Sequence, residues 1–408
     1  MIRWITEQLG TAPASEVIDL HDVCIVDVRD LVDKRGNSVV AIKNKIDQGV
    51  QFLKKGHRVI ICCDYGISRS NAVAAGVLAV HKGISFLEAV RIVQQRTRET
   101  EIKPELLKIV GQAVGNLPLP AAASRQTVLI TGGGGFIGTA LRTRLAADFD
   151  IVCPARSEID LLKGATQLDL LTLECGAQTI IHLAMPRVYN SNTAAGQSIT
   201  MLRNVLDVAA SRQTRLIYLS SWEVFSGYAG ELWVDEEVPL FSKGPYGDAK
   251  LLSEALIQNF KRSHQLNCAI ARASPVYGPG SDRPKFVYNF LDKAVRGETI
   301  VTHRYLNGDA MLDLLHINDL VDGLTRLIYS FESGVFHFGT GKLTSTFEIA
   351  SYLCRTVGST SQVTRIEVET HAARIAMKTD KAKTVLGWEA KVDVWAGLAD
   401  LAQIKLKG

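Results

Sequence analysis

Short apolar runs alternate with longer helix-type segments in both halves of the chain. In the first half, the run Val59–Cys62 precedes a turn and a helical stretch from Ser70 to His81. In the second half, the run Thr127–Ile130 precedes a glycine cluster and another helical stretch. Buried strands that alternate with helices are typical of parallel sheets. The pattern therefore predicts an α/β fold with a parallel sheet in each half.

A segment without periodicity separates the two halves. Residues 117–124 contain two prolines among small and apolar residues, a composition typical of a linker. A chain of 408 residues is also too long for one ordinary core. We therefore predict one domain over residues 1–116, a linker over 117–125 and a second domain over 126–408.

Composition excludes several classes of protein. The chain is 47% hydrophobic and 22% charged with a net charge of +4, which is ordinary for a soluble protein. This small net charge does not indicate a basic surface that binds nucleic acid. No run approaches the roughly 20 apolar residues that span a bilayer, and the first ten residues have no signal-type apolar core. Seven irregularly spaced cysteines argue against a disulfide framework. We expect a cytoplasmic protein without membrane or nucleic-acid partners and without a metal site.

The first half contains a thiol and a guanidinium at the start of a helix. Cys63 and Arg69 bracket the loop Asp64-Tyr65-Gly66-Ile67-Ser68, and Ser70 follows. Backbone N–H groups that converge at a helix N-terminus bind anions such as phosphate. The same environment favours the reactive thiolate of Cys63, and Arg69 has the geometry to hold two phosphate oxygens. These residues predict a phosphate-binding loop with a nucleophilic cysteine.

This loop resembles the Cys-x5-Arg loop of the dual-specificity protein phosphatases, and the resemblance covers roughly residues 1–115. It implies that Cys63 and Arg69 are catalytic and that an upstream aspartate is the general acid. We favour Asp33, which precedes a glycine turn, with Asp30 as the alternative. The family usually has a histidine before the cysteine, whereas this chain has Cys62. Cys62 is interpreted as a packed thiol, with a resolving thiol as the alternative.

The second half opens with a glycine cluster between a strand and a helix. Gly132, Gly135 and Gly138 have the spacing that permits a tight turn, a close approach of backbone to a pyrophosphate, and close packing of helix on sheet. Phe136 and Ile137 lie at the predicted helix start. The arrangement predicts a dinucleotide-binding loop.

A tyrosine and a lysine occur four residues apart farther along. On a helix, Tyr246 and Lys250 share one face, so the ammonium lies near the phenol. A nearby cation lowers the pKa of a phenol, and we predict that it brings the pKa of Tyr246 toward neutrality. Ser221 ends an apolar run upstream and is expected to hydrogen-bond the substrate oxygen. The three residues predict proton transfer coupled to hydride transfer.

These residues identify the second half as a member of the extended short-chain dehydrogenase/reductase superfamily, the epimerase/dehydratase type. Further strings resemble family landmarks over residues 126–400: 180–184, 220–225, 272–280, 316–319 and 386–388. The resemblance implies a doubly wound Rossmann-type parallel sheet with a smaller C-terminal substrate subdomain. It also implies that Leu183 and Ala184, at the end of the family's fourth strand, contact the cofactor. Homodimerisation is expected by analogy.

The cofactor is predicted from the residues after the second strand. Counting from the last glycine, the position at which NAD-preferring members carry an aspartate is Arg156, followed by Ser157. A guanidinium and a hydroxyl suit a 2′-phosphate, which favours NADP. Glu158 lies nearby in sequence, so NAD is kept as the alternative cofactor. Asp160 and Leu161 are expected near the adenine.

The substrate is predicted to be sugar-like, and the reaction type stays open among epimerase, reductase and dehydratase. Glu223 is interpreted either as a base that removes a proton next to a ketone or as a helix-capping or surface carboxylate. Pro275 and Leu312 replace a family asparagine and arginine that hold a nucleotide diphosphate. The substrate is therefore expected to be a nucleotide sugar or a sugar that carries a simple phosphate.

Taken together, the sequence predicts a bifunctional enzyme with a phosphatase-like module and an NAD(P)-dependent module. One alternative is that the first module binds phosphate without catalysis, because Cys62 replaces the family histidine. A second alternative is a phosphatase whose Rossmann domain senses the cofactor.

Overall fold

A computed structural model of the chain describes residues 2–18, 20–33, 36–99, 102–115, 125–281 and 286–407. The predicted linker, apart from residue 125, lies outside the described residues. The chain divides into two compact units. The first comprises residues 1–124, 156–177 and 204–213, and the second comprises 125–155, 178–203 and 214–408.

The predicted alternation of strand and helix occurs in the middle of the first 115 residues, between two opening strands and two closing helices. In chain order the elements are β1 (Arg3–Trp4), β2 (Leu9–Pro13), a 3-10 helix (Ala14–Glu16), β3 (Cys24–Asp27), α1 (Val39–Lys54), β4 (Val59–Cys63), α2 (Arg69–Lys82), α3 (Phe86–Thr97) and α4 (Pro104–Val114).

The elements of the described residues from 125 onward begin with the predicted strand and glycine cluster. Those up to residue 264 are β5 (Thr127–Thr131), α5 (Phe136–Leu145), β6 (Asp150–Val152), α6 (Thr166–Cys175), β7 (Thr179–His182), α7 (Asn192–Arg212), β8 (Arg215–Ser221), a second 3-10 helix (Trp222–Phe225), β9 (Gly230–Val234) and α8 (Pro245–His264).

The remaining elements complete the second unit. They are β10 (Cys268–Ala273), β11 (Val276–Tyr277), α9 (Phe286–Arg296), β12 (Ile300–Tyr305), β13 (Gly308–Asp309), β14 (Met311–Leu312), β15 (Leu315–His316), α10 (Ile317–Ser330), β16 (Gly334–Phe338), β17 (Thr344–Ser345), α11 (Thr346–Thr356), β18 (Val363–Val368), β19 (Ala373–Met377), α12 (Asp380–Leu386) and α13 (Val394–Lys407).

The first unit is built around a small sheet with the strand order β1-β2-β4-β3. Strands β2, β4 and β3 are parallel as predicted, and β1 pairs antiparallel with β2 at the edge. Every residue of β4 is buried. Helix α2 follows β4 and is buried from Ser70 to Ala79, and Gly76 leaves room for Ile46 and Val110 of neighbouring helices. The loop 64–68 therefore lies at the carboxyl edge of the sheet, on a rigid strand and helix.

Helix α6 belongs to the first unit although it follows β6 in sequence. Leu170 is buried in the same hydrophobic core as α1 to α4. The Thr166 hydroxyl accepts a hydrogen bond from Ile102 N (3.1 Å) and donates one to Ile102 O (2.9 Å). Asp169 is fully buried and accepts a hydrogen bond from Arg212 Nε at 2.7 Å. The compact units thus group residues differently from the predicted sequence boundaries.

The second unit contains a parallel sheet of six described strands in the order β16-β10-β8-β7-β5-β6. The predicted α/β fold with a Rossmann-type parallel sheet is confirmed for this unit. Strand β5 pairs with β6 on one side and β7 on the other, so the chain reverses direction across the sheet at β5. Ligands of doubly wound sheets bind beyond the carboxyl ends of strands at such a reversal. The glycine cluster follows β5 at that position.

Several family landmarks hold the C-terminal part of the second unit together. Trp388 is fully buried and donates a hydrogen bond from Nε1 to Asp319 O at 2.9 Å. The Asp313 carboxylate is buried and accepts from Thr340 N, Gly341 N and Met377 N. These contacts join the segment after β16 to β19. Asp313 and the landmark strings at 316–319 and 386–388 therefore stabilise the fold.

Two kinds of feature are absent from the part of the chain that the structure describes. None of its helices is long and apolar enough to span a lipid bilayer. Nor do its His, Cys, Asp and Glu side chains form a cluster of three or more that could bind a metal.

Candidate active site

The glycine loop of the second unit has the conformation that a dinucleotide site requires. Gly132 has φ +76°, and a Cβ there would lie 2.7 Å from Ala184 N. A Cβ on Gly138 would lie 2.5 Å from Gly132 O, which explains the close packing of α5 on the loop. Open space faces Gly134, and Gly135 precedes α5 without a side-chain cap. The first N–H groups of α5 are therefore available to an anion such as a pyrophosphate.

The residues beside this loop come from the end of β7. Leu183 N donates to Thr131 O at 3.0 Å, which fixes the segment against the end of β5. The Thr131 hydroxyl and His182 Nδ1 form a buried hydrogen bond of 2.7 Å. Burial lowers the pKa of His182 to about 3, assisted by the charge of Lys250, so the imidazole is neutral. Leu183 and Ala184 thus adjoin the glycine loop, and their contact with a cofactor stays a prediction.

Three predicted cofactor residues belong to the first unit. Arg156 is exposed and follows the end of β6 by four residues. Asp160 accepts a hydrogen bond from Leu162 N at 3.1 Å, and Leu161 is buried with its carbonyl bonded to Asn204. Their assignment to the adenosine half of a cofactor stays a prediction. Phe136 and Ile137, in the first turn of α5, pack against the core of the second unit.

Tyr246, Lys250 and Ser221 come together at the end of β8. The Ser221 side chain interacts with the Tyr246 phenol and lowers its pKa. Lys250 Nζ donates to Leu219 O at 2.6 Å and lies 5.7 Å from the centre of the Tyr246 ring. Because Tyr246 and Lys250 lie one helical turn apart on α8, the helix presents both to the strand end.

The two serines at the end of β8 have different partners. The Ser220 hydroxyl donates to Glu254 Oε1 at 2.5 Å, inside a buried network in which Arg272 pairs with the same carboxylate. Ser221 faces Tyr246 instead and also accepts from Glu223 N at 3.2 Å. The network on Ser220 is structural, and Ser221 is the hydroxyl that adjoins the phenol.

The predicted shift of the Tyr246 pKa toward neutrality is wrong. Burial raises the pKa of Tyr246 above its usual value, and Lys250 offsets only part of that effect. Burial also lowers the pKa of Lys250. The sequence shows the charge four residues away but not how far the site is removed from water, and here desolvation is the larger effect.

Glu223 shares this site. Its negative charge raises the pKa of Tyr246 and opposes the lowering of the pKa of Lys250. Glu223 is half-buried and lies in the first turn of the short 3-10 helix Trp222–Phe225. The N-cap of this helix is Ser221, whose hydroxyl accepts from Glu223 N, and the role of the Glu223 side chain stays a prediction. An acid next to the phenol is the arrangement that a second proton transfer needs.

Two aromatic residues of the site were missed in the sequence. The Tyr189 ring contacts the Tyr246 ring edge-on, with centroids 5.2 Å apart. The Tyr218 ring lies under the Lys250 ammonium, which is 4.6 Å from its centre. Tyr218 precedes Ser221 by three residues in β8, and the apolar pattern of the strand gives no sign that its ring lies in the site. Tyr189 lies in the segment between β7 and α7, where sequence spacing gives no signal.

The thiol loop of the first unit surrounds Cys63. Gly66 N donates to Cys63 Sγ at 3.2 Å, and the Ser70 hydroxyl lies 3.4 Å from the same sulfur. Gly66 has φ +68°, and a Cβ there would lie 2.6 Å from Pro13 N, so only glycine fits. Ser68 accepts a hydrogen bond from Lys103 N at 3.2 Å, while Tyr65 is 75% exposed at the rim. Half-buried Ile67 completes the loop.

Arg69 is held by carboxylates and backbone carbonyls. Its guanidinium donates to Asp64 Oδ2 at 2.5 Å and to Leu31 O at 3.0 Å, and it lies 3.6 Å from Asp33 Oδ2. Asp33 Oδ1 is buried and has no hydrogen-bond partner within the described ranges. Asp30 instead pairs with Lys45. Of the two candidates for the general acid, the structure therefore brings Asp33 to the arginine of the loop.

Cys62 faces the opposite side of the sheet from Cys63. It packs with Ala12, Val17 and Ile60 in a separate small cluster. Burial raises the pKa of Cys62 to about 11, so this thiol is protonated at neutral pH. A protonated, packed thiol does not act readily as a resolving nucleophile.

Known proteins similar to this chain are named for nucleotide sugars or were solved with nicotinamide cofactors. UDP-glucuronic acid decarboxylase 5 of Arabidopsis thaliana is 26% identical over 303 residues, which cover 67% of this chain and 88% of the relative. The dTDP-glucose 4,6-dehydratase of Bacillus anthracis, solved with NAD, has a TM-score of 0.61 at 18% identity and covers 69% of this chain and 97% of its own.

A third similar protein was solved with the phosphorylated cofactor. RMD of Pseudomonas aeruginosa, in complex with NADPH, has a TM-score of 0.60 at 19% identity, covering 68% of this chain and 98% of its own. At such identities the two structures show a shared fold. Residues 128–338, more than half of the chain, match the family model described as NAD dependent epimerase/dehydratase family. The chain belongs to that family.

Proposed function

We propose that the second unit oxidises a sugar carbon of a nucleotide sugar and then uses Glu223 for a second proton transfer. The observation that carries this proposal is that Ser221, Tyr246, Lys250 and Glu223 share one site at the end of β8, which β7 separates from the strand that precedes the glycine loop. A reductase needs the first three alone. The added carboxylate favours a reaction in which the cofactor is restored each cycle, as in an epimerase, a dehydratase or a decarboxylase.

In the first step the phenolate form of Tyr246 takes the proton of a sugar hydroxyl; because burial raises the pKa of Tyr246, this form becomes more populated as the pH rises. The C–O bond becomes a carbonyl as hydride leaves the same carbon, and the nicotinamide ring supplies the hydride acceptor when bound. Ser221 hydrogen-bonds the reacting oxygen, and Lys250 stabilises the phenolate. The new carbonyl acidifies the neighbouring carbon, whose proton Glu223 then removes or replaces.

The nucleotide-sugar substrate is proposed from the relatives, because the proteins that resemble this chain are named for UDP- and dTDP-sugars. Pro275 and Leu312 replace the family asparagine and arginine that bind a diphosphate, and we expect weaker diphosphate binding as a result. A sugar with a simple phosphate is therefore the second candidate. A panel of UDP- and dTDP-hexoses and hexose phosphates, followed by mass spectrometry of the products, tests the choice. Turnover of hexose phosphates alone would contradict the nucleotide-sugar assignment.

For the cofactor we propose NADP, with NAD as the alternative that Glu158 leaves open. Arg156 and Ser157 match a 2′-phosphate in chemistry, and Arg156 is exposed. We expect Arg156→Ala to weaken NADP binding by about tenfold and leave NAD binding unchanged. Arg144→Ala, another exposed arginine change, is the control. Equal affinities for both cofactors in the unaltered protein would contradict the preference.

A second candidate function, phosphomonoester hydrolysis, is proposed for the first unit. It is supported by the hydrogen bond from Gly66 N to Cys63 Sγ, by the Ser70 hydroxyl beside that sulfur, and by Asp33 beside Arg69. The Cys63 thiolate attacks phosphorus, the P–O ester bond breaks, and the protonated Asp33 gives its proton to the leaving oxygen. Water then attacks the phosphocysteine with Asp33 as base, the P–S bond breaks, and phosphate and thiolate result.

Phosphate release tests this second candidate. We expect Cys63→Ser to abolish release from p-nitrophenyl phosphate, and Asp33→Asn to lower it by about a hundredfold. The alternative, a non-catalytic phosphate-binding module, predicts phosphate binding without release.

The cytoplasmic location, the domain boundaries and the homodimer stay predictions. Light scattering on the purified chain measures whether it forms a homodimer.

A further inference from the structure

A cavity of about 530 Å³ lies in the first unit, at the carboxyl edge of its sheet. It is formed by the segments that follow β2 and β3 and by the end of β4. Its described lining residues are Ala14, Ser15, Val17, Ile18, Ile25, Asp27, Arg29, Cys62 and Asp64. Cavities of this size hold small organic ligands, typically about 300 to 1,000 Å³. Nothing in the reactions proposed above uses it.

One wall of this cavity is apolar and the other is polar. Val17, Ile18 and Ile25 supply the apolar wall together with Cys62, whose raised pKa keeps it an uncharged thiol. On the polar side, Arg29 donates to Asp27 Oδ2 from Nε at 2.9 Å and from Nη2 at 2.6 Å. A ring with C–H groups on one face and hydroxyls along its edge matches such a pair of walls, because carboxylate and guanidinium groups accept from and donate to hydroxyls.

The cavity is connected to the thiol loop through two residues. Asp64 lines the cavity and accepts a hydrogen bond from Arg69. Arg29 also lines it, and the Arg29 carbonyl accepts from Arg69 Nη1 at 3.1 Å. A ligand in the cavity therefore lies next to the residues that hold the arginine of the loop.

We propose that this cavity holds the carbon skeleton of a small sugar phosphate whose phosphate group lies in the loop 64–69. This inference rests on the phosphatase function proposed for the first unit and names its substrate class. A phosphotyrosine side chain fits less well, because its flat apolar ring would leave the Asp27–Arg29 pair without hydroxyl partners. The phosphoryl transfer itself uses Cys63 and Asp33 as written above.

The test fills the cavity from its exposed rim, where a large side chain does not disturb the core. Ile18 is 77% exposed and lines the cavity, so Ile18→Trp narrows it while the fold is kept. Val40→Trp, at an exposed position of α1 outside the cavity, is the matched control. The kcat/KM for phosphate release is measured with hexose phosphates, p-nitrophenyl phosphate and a phosphotyrosine peptide.

We expect Ile18→Trp to lower kcat/KM for the preferred hexose phosphate by at least about tenfold, with p-nitrophenyl phosphate within about twofold. The control variant is expected to match the unaltered protein. Equal effects on all substrates, or a preference for the peptide, would overturn the inference while the phosphatase function stands.

If no substrate releases phosphate, the catalytic proposal fails, and binding decides the inference. Calorimetry then compares the hexose phosphates with inorganic phosphate in the unaltered protein and in Ile18→Trp. Tighter binding of a hexose phosphate than of inorganic phosphate, weakened by Ile18→Trp, supports the cavity as its site. Equal binding of the two, or none, overturns it.

Discussion

The two candidate sites of this chain hold their cations in different ways. In the first unit, Arg69 is engaged by the carboxylates of Asp64 and Asp33. In the second, Lys250 is held by the carbonyl of Leu219 and the ring of Tyr218. A carboxylate neutralises its partner, whereas a carbonyl and a ring position a cation and leave its charge effective. In the first site, Arg69 must release a carboxylate before it can bind an anion. In the second site, the charge of Lys250 acts on the phenol of Tyr246 beside it.

The largest effect is expected at the phenol. Tyr246→Phe removes the proton acceptor and should lower turnover of the sugar substrate by about a hundredfold or more, because general acid–base groups contribute about 10² to 10⁴. Tyr228→Phe removes a phenol that donates to Pro239 O and should leave turnover unchanged. Steady-state rates, with thermal unfolding to show that both variants fold, make the comparison. Full activity in Tyr246→Phe would show that another group is the acid–base residue.

The ring beneath the lysine gives the next largest effect. Tyr218→Leu removes the cation–π contact with Lys250 and should lower kcat by about tenfold, since such contacts contribute about 0.5 to 2 kcal/mol. Tyr218→Phe keeps the ring and should stay within about twofold. If both variants behave alike, the ring has no part in holding Lys250.

The pH dependence of the second site tests the opposing charges on Tyr246. Glu223 raises the pKa of the phenol and Lys250 lowers it. The active form is the phenolate, so the rate rises as pH passes the pKa of Tyr246. Glu223→Gln should therefore move the rising limb of hydride transfer to lower pH, and Lys250→Met should move it to higher pH. Stopped-flow rates across pH measure both, and shifts in the same direction would contradict the geometry.

The smallest effect is expected at the arginine of the thiol loop. Asp64→Asn frees Arg69 from one carboxylate and should tighten phosphate binding by about two- to fivefold, the size of an exposed ion pair. Asp30→Asn breaks the pair with Lys45 and should have no such effect. Calorimetric titration with inorganic phosphate measures the change. Weaker binding in Asp64→Asn would show that Asp64 helps to hold the anion.

Features fixed by local spacing were predictable from the sequence, and those fixed by distant packing were not. Tyr246 and Lys250 share a helix face, and the glycines follow a buried strand, so the positions of the acid–base pair and of the glycine loop were predictable from the sequence. The membership of α6 in the first unit depends on Leu170 packing against helices more than 50 residues away, for which the sequence has no signal. The net direction of the Tyr246 pKa likewise depends on burial rather than on spacing.

Glu223 is proposed to complete the catalytic cycle that Tyr246 and Lys250 begin. A single-turnover experiment with Glu223→Gln, the nucleotide sugar and bound oxidised cofactor tests this role. We expect the variant to oxidise the sugar and then stop, with reduced nicotinamide accumulating at about one equivalent per site, whereas the unaltered protein cycles without net reduction. Turnover of the variant at the unaltered rate, without accumulation, would show that Glu223 has no part in the second proton transfer.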